Sequence, residues 1–178
     1  MGRIESCFES LRSKGEKGLI TFITAGDPSI ENTLDYMQSL VDGGADVIEL
    51  GVPFSDPMAD GPTIQRASER SLASGTDLSS IFMLVRAFRE RNASTPVILM
   101  GYMNPFERMG FERFAKEAKA SGVDGVLVVD LPPEESVPQN KILTLNGVRQ
   151  IFLIAPNSSE ERIKKVGELA AGFIYYVS

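Results

Sequence analysis

Right-handed βαβ units around a parallel sheet are predicted for this chain of 178 residues by three features. Short apolar runs recur along it, stretches of helical period separate them, and glycines fall where those stretches end. The runs are nearly continuous in Val, Ile and Leu, as parallel strands covered on both faces require. The fold class is therefore α/β, and the absence of any linker or low-complexity tract predicts a single domain over residues 1–178.

The first element is an amphipathic helix in which Ile4, Cys7, Phe8 and Leu11 share one face, expected to cover one end of the fold. Met1 to Ser6 also match the N-myristoylation pattern, but the helix accounts for the same residues. Six strands are read at Leu19–Thr24, Asp46–Gly51, Val97–Gly101, Gly125–Val129, Gln150–Ile154 and Phe173–Val177. Leu34, Met37, Leu40 and Val41 mark one intervening helix; Phe111, Phe114, Ala115 and Ala118 mark another. Asp27-Pro28 and Asn157-Ser158 sit where helix N-caps are wanted, and Gly43-Gly44, Gly122 and Gly147 follow helical segments, where a left-handed residue is favoured. The segment between the second and third strands is about twice as long as the others. It holds a loop from Pro53 to Pro62 and two helical stretches, Thr63–Ser74 and Leu78–Arg91.

Composition narrows the function classes. A hydrophobic content of 43% is enough for a sizeable core, and no apolar stretch is long enough to span a bilayer. The net charge of -6 argues against nucleic acid or an anionic membrane surface as the main partner, since both demand clustered Lys and Arg. The single cysteine, Cys7, has no internal disulfide partner, which fits a reducing, cytoplasmic setting. Glu5, Glu9 and Arg12 interrupt the apolar core that a secretory signal would need. With no histidine in the sequence, His-based metal sites, Ser-His-Asp triads and Cys-His dyads are excluded. Proton chemistry falls to carboxylates, Lys, Tyr or water.

The stretch from Ile48 to Gln65 carries the most chemistry. It sets Glu49 into an otherwise apolar strand and follows it with a Pro/Gly-rich loop bearing Asp56 and Asp60. A buried carboxylate is costly unless a cation pairs with it or its raised proton affinity is used, and no Lys or Arg lies between Lys17 and Arg66. Alternation puts Val47, Glu49 and Gly51 on one face; if that face is inward, Ile48 and Leu50 meet the helices. A salt-bridged or N–H-bonded structural carboxylate stays an open reading of Glu49. Asp60, just before Gly61-Pro62, reads equally as a helix cap. Asp56 suits a turn or a subunit contact, and Asp130 a cap for a helix starting at Pro132-Pro133-Glu134-Glu135.

The same residues resemble the signature of the tryptophan synthase alpha subunit family, indole-3-glycerol-phosphate lyases with a (β/α)8 TIM barrel. Phe22-Ile23-Thr24-Ala25-Gly26-Asp27-Pro28 is similar to the family's first strand and turn, Met100-Gly101-Tyr102-Met103-Asn104-Pro105 to its third strand end, and Gly125 to Pro132 to its fourth. The resemblance runs from about residue 3 to 178 and implies a barrel truncated after the sixth strand. Tryptophan biosynthesis would then be the pathway, and retro-aldol cleavage of indole-3-glycerol phosphate to indole and glyceraldehyde 3-phosphate the reaction. Glu49 would shuttle the proton and Asp60 would bind indole N1–H. Phe22, Met100, Tyr102, Leu127, Val129, Leu153 and Tyr175 would form a flat apolar slot for the ring, although each alone also suits ordinary barrel core.

The resemblance implies no metal and no organic cofactor, because indole itself accepts the bonding electrons. It implies a pyridoxal-phosphate beta subunit as partner in an alpha2beta2 complex, met by Asp56, Pro57, Asn104 and Pro105. No Gly-rich or Walker-type phosphate motif is present; the family's phosphate loops follow the seventh and eighth strands, which the sequence lacks. The expectation is thus the front portion of a longer polypeptide, an open three-quarter barrel with a gap between its first and sixth strands. Two alternatives remain beside this: a catalytically idle barrel subunit that binds and activates the beta partner, and a stand-alone indole-releasing lyase or another barrel acting on a phosphorylated sugar or indole derivative.

Overall fold

A computed structural model describes residues 2–177. Six parallel strands, β1 (Ile20–Thr24), β2 (Val47–Gly51), β3 (Val97–Gly101), β4 (Gly125–Val128), β5 (Arg149–Ile154) and β6 (Ile174–Tyr176), pair in sequence order. Each lies within two residues of its predicted span. Eight helices accompany them among the described residues: α1 (Arg3–Lys14), α2 (Ile30–Asp42), α3 (Pro62–Ala73), α4 (Leu78–Arg91), α5 (Met103–Met109), α6 (Phe111–Ser121), α7 (Val137–Leu145) and α8 (Glu160–Leu169). The short α5, which breaks the run between β3 and α6, was not foreseen. Among the described residues β1 and β6 do not pair, so the sheet is a curved, open section of a barrel. No helix among them is long and apolar enough to cross a membrane.

Strand alternation sorts the core into two clusters. Ile48, Leu50, Val97, Leu99, Val126 and Val128 pack outward against Phe82, Phe88, Phe114 and the other helix residues. Val47, Ile98, Leu127 and Ile151 point inward, joined by Met100, Val129, Leu153 and Tyr175. Val47, Glu49 and Gly51 share one face, as alternation predicts, and that face is the inward one. Ile4 of α1 is 1% exposed and belongs to the inner cluster, so α1 plugs the N-terminal end of the barrel.

The helix ends follow the predicted logic with small displacements. Ser29 and Ser159, rather than Asp27-Pro28 and Asn157-Ser158, cap α2 and α8, accepting from the N–H groups of Asn32 and Arg162, each at 3.2 Å. Asp27 instead receives Nε and Nη2 of Arg70 at 2.7 Å each, tying the β1–α2 loop to α3. Gly44, Gly122 and Gly147 adopt φ of 99°, 92° and 70°, the left-handed region in which a side chain would be strained. Asp130 is corrected: residues 132–135 form a turn, α7 begins at Val137, and the Asp130 carboxylate accepts the N–H of Met103 at 2.7 Å. It therefore serves the first turn of α5, whose leading N–H groups lack partners within the helix.

Candidate active site at the C-terminal rim

Parallel barrel strands deliver their C-terminal ends to one rim, and the loops there carry the polar residues. Glu49 lies in the middle of β2, paired in register with Phe22 on β1 and Ile98 on β3. One row nearer the rim come Thr24, Gly51, Met100 and Leu127. Glu49 is 1% exposed, and its Oε1 has no hydrogen-bond partner. Its Oε2 accepts from the hydroxyl of Tyr175 at 3.3 Å, a contact spanning the barrel interior from β6 to β2. No salt bridge to Glu49 occurs among the described residues, so the cation-paired reading fails. Burial raises its pKa above the ordinary 4.5, and the Tyr175 hydrogen bond offsets only part of that rise. Tyr175 is itself pushed up by burial and then by the Glu49 charge.

Asp60 hangs over the same interior from the loop between β2 and α3. The cap reading does not hold, because the N-cap of α3 is Gly61 and no side chain caps it. The Asp60 carboxylate accepts instead from the hydroxyl of Tyr102 at 3.1 Å. The loop is fixed by Val52 N–H on the Met100 carbonyl at 2.7 Å, Asp60 N–H on the Pro57 carbonyl at 3.0 Å, and Gln65 Nε2 on the Asp60 carbonyl at 2.9 Å.

A cavity at this rim is lined by Asp60, Phe22, Met100, Tyr102 and Val129. It brings together five of the residues read from sequence. Glu49, Leu127, Leu153 and Tyr175 do not line it; the last three belong to the inner apolar cluster. Thr24, Gly51 and Ser68 line it and were missed. Gly51 had a legible signal, a glycine inside an apolar strand: a Cβ there would stand 2.6 Å from Cζ of Phe22, so glycine leaves room for the aromatic ring. Ser68 gave none, since its place depends on how α3 docks.

Asp56 is exposed, Pro57 half-buried and Met58 81% exposed. Across the rim Asn104 is exposed and Pro105 half-buried, whereas Phe106 is fully buried with its ring 4.4 Å from that of Phe114. Phe106 is therefore core and not part of an outer surface. No group of three or more His, Cys, Asp or Glu side chains among the described residues is placed to hold a metal.

A barrel section with a desolvated, cation-free carboxyl in its interior and a second carboxylate lining a cavity at its C-terminal rim has the make-up of a barrel enzyme's site. The family profile of the tryptophan synthase alpha chain matches residues 8–178. Its curated relatives include the tryptophan synthase alpha chains of Cupriavidus pinatubonensis, 60% identical, and Polynucleobacter asymbioticus, 58% identical, each aligned over all of this chain and 67% of its own length. The chain thus spans about two thirds of the length of these relatives. The crystal structure of tryptophan synthase subunit alpha from Legionella pneumophila superposes with a TM-score of 0.98 at 47% identity, covering 100% of this chain and 68% of that one. The tryptophan synthase complex from Pyrococcus furiosus matches with a TM-score of 0.86 at 46% identity, covering 90% and 66%. The chain belongs to the tryptophan synthase alpha chain family, lyases of tryptophan biosynthesis with the TIM-barrel fold.

Proposed function

We propose that the chain carries the proton-transfer half of an indole-3-glycerol-phosphate lyase, cleaving that substrate to indole and glyceraldehyde 3-phosphate. The observation that carries the reading is Glu49: a 1% exposed carboxyl with a raised pKa, no cation beside it and one oxygen without a partner. Breaking the C–C bond requires a proton delivered to indole C3, so that the ring takes up the bonding electrons, and a proton removed from the side-chain hydroxyl, so that the aldehyde forms. A carboxyl poised between its two protonation states performs both transfers in turn. Asp60 accepts the indole N1–H and stabilises the positive charge that develops as C3 is protonated. Phe22, Met100, Tyr102 and Val129 supply the apolar walls, with Leu127, Leu153 and Tyr175 behind them. The chemistry uses no metal and no organic cofactor.

The partner in this reading is a tryptophan synthase beta subunit in an alpha2beta2 complex. Support comes from the solved complex of the Pyrococcus furiosus relative and from the exposure of Asp56, Met58 and Asn104 on neighbouring rim segments stiffened by Pro57 and Pro105. Docking there places the rim, and the indole it releases, against the partner. A steady-state assay of indole release, with and without the beta subunit, tests the whole proposal. Indole formed from indole-3-glycerol phosphate supports it; release only in the partner's presence refines it; no release under either condition leaves an idle binding subunit. Charge reversal at Asp56 is expected to weaken the complex, and unaltered affinity by calorimetry removes Asp56 from the interface.

A further inference from the structure

Tyr102 makes closer contacts than those of a passive wall. It follows the last residue of β3, immediately precedes α5 and is 3% exposed. Its hydroxyl accepts the N–H of Ala59 at 3.0 Å and donates to Asp60 Oδ2 at 3.1 Å. Its ring centroid lies 5.4 Å from that of Phe54. One side chain just past β3 thus holds the β2–α3 loop by a ring and two hydrogen bonds, and both bonds fall on the residues that set the Asp60 carboxylate. The backbone just beyond Tyr102 is fixed in turn, since the Met103 N–H is bound by Asp130 at 2.7 Å and Phe106 is locked against Phe114.

We infer that Tyr102 is a positioning residue for Asp60, its phenol fixing the loop and the carboxylate rotamer so that one carboxylate oxygen is held and the other is left to meet the indole N–H. The inference rests on the lyase reading, in which Asp60 meets that N–H. A hydrogen bond to a carboxylate is stronger than one between neutral groups, and it leaves the charge in place while removing rotational freedom. The Ala59 N–H sets the direction of the phenol O–H: with the phenol oxygen accepting from the loop backbone, its proton points to the adjacent carboxylate. Pre-organisation of this kind acts most where charge develops, so its loss is read in kcat more than in KM.

Tyr102→Phe keeps the ring against Phe54 and removes only the hydroxyl. Two measurements on the chain with its beta partner decide the matter. Hydrogen exchange at the Ala59 amide is expected to speed by roughly tenfold or more, given the worth of a hydrogen bond between partly buried groups. Kinetics are expected to show kcat lowered by roughly tenfold with KM nearly unchanged in the wild-type background, and little further loss when Tyr102→Phe is added to Asp60→Ala, because the two residues act as one unit. An equal loss in both backgrounds overturns the inference, as does an unchanged Ala59 exchange rate. If the unsubstituted protein releases no indole, the lyase reading fails, and the inference fails with it even where the exchange result shows that Tyr102 holds the loop.

Discussion

Two buried carboxylates, one at the N-terminal floor of the barrel and one in the middle of β2, receive opposite treatment. Asp124, 9% exposed at the N-terminal floor, accepts from Nη2 of Arg89 at 2.7 Å, Nη1 of Arg3 at 3.0 Å and the N–H of Val97 at 2.9 Å. Arg89 spends its other donors on the carbonyls of Gly122 and Thr95 at 3.0 and 2.7 Å. Even so, burial pushes its guanidinium down to about 10, with Asp124 opposing the shift and Arg3 adding to it. Glu49, 1% exposed in β2, has one tyrosine hydroxyl and no cation. The same functional group thus serves structure at Asp124 and, in the proposed reaction, proton transfer at Glu49. A carboxylate whose oxygens are taken up by cations and an N–H group acts as a structural tie, whereas a desolvated and undersatisfied one keeps a proton within reach.

Glu49→Gln tests this contrast most directly, because it keeps the shape and removes the exchangeable proton. Indole formation in single turnover is expected to fall by ~10²–10⁴-fold with circular dichroism unchanged. Retention of more than about a tenth of the rate would remove Glu49 as the shuttle.

Asp124→Ala should do the reverse, costing about 3–5 kcal/mol of stability by stranding Arg89 and Arg3 beside each other. Urea unfolding measures it; a midpoint unmoved by the substitution would show that the floor network is dispensable.

Asp60 should fall between these poles. Asp60→Asn is expected to cost less activity than Asp60→Ala, because the amide oxygen still accepts a hydrogen bond although it carries no charge. Equal losses would mean that charge alone matters there.

The smallest effect concerns pH. Glu49 has its folded-state pKa raised, so between 4.5 and that raised value the native chain binds more protons than the unfolded one. Stability from this group is therefore present at low pH and is lost as pH rises through that window. In Glu49→Gln the loss should vanish, leaving the variant more stable than the parent above the window and similar to it below. Parallel pH profiles of the urea midpoint would show that Glu49 is not desolvated in the folded chain.

Much of the architecture was legible because it is local. Near-continuous Val, Ile and Leu runs marked all six strands to within two residues, and period-two alternation put Val47, Glu49 and Gly51 on one shared face, which the fold turns inward. Glu49 stood out as a carboxylate in an apolar run with no Lys or Arg nearby in sequence. Even there, distant cations could have reached it; only the fold sent Arg3 and Arg89 to Asp124 instead.

Contacts made across large sequence separations were decided by tertiary structure alone. The family resemblance implied a slot wall for Tyr102, but its hydroxyl turns to the loop ending at Asp60, 42 residues earlier. Asp130 looked like the cap of the helix that follows it, yet it holds the N–H of Met103, 27 residues back, because parallel strands bring the ends of β3 and β4 to the same rim. Tyr175 meets Glu49 over a separation of 126 residues. That last contact depends on the curvature of the sheet, a sum of small twists at every strand pair that no single segment encodes.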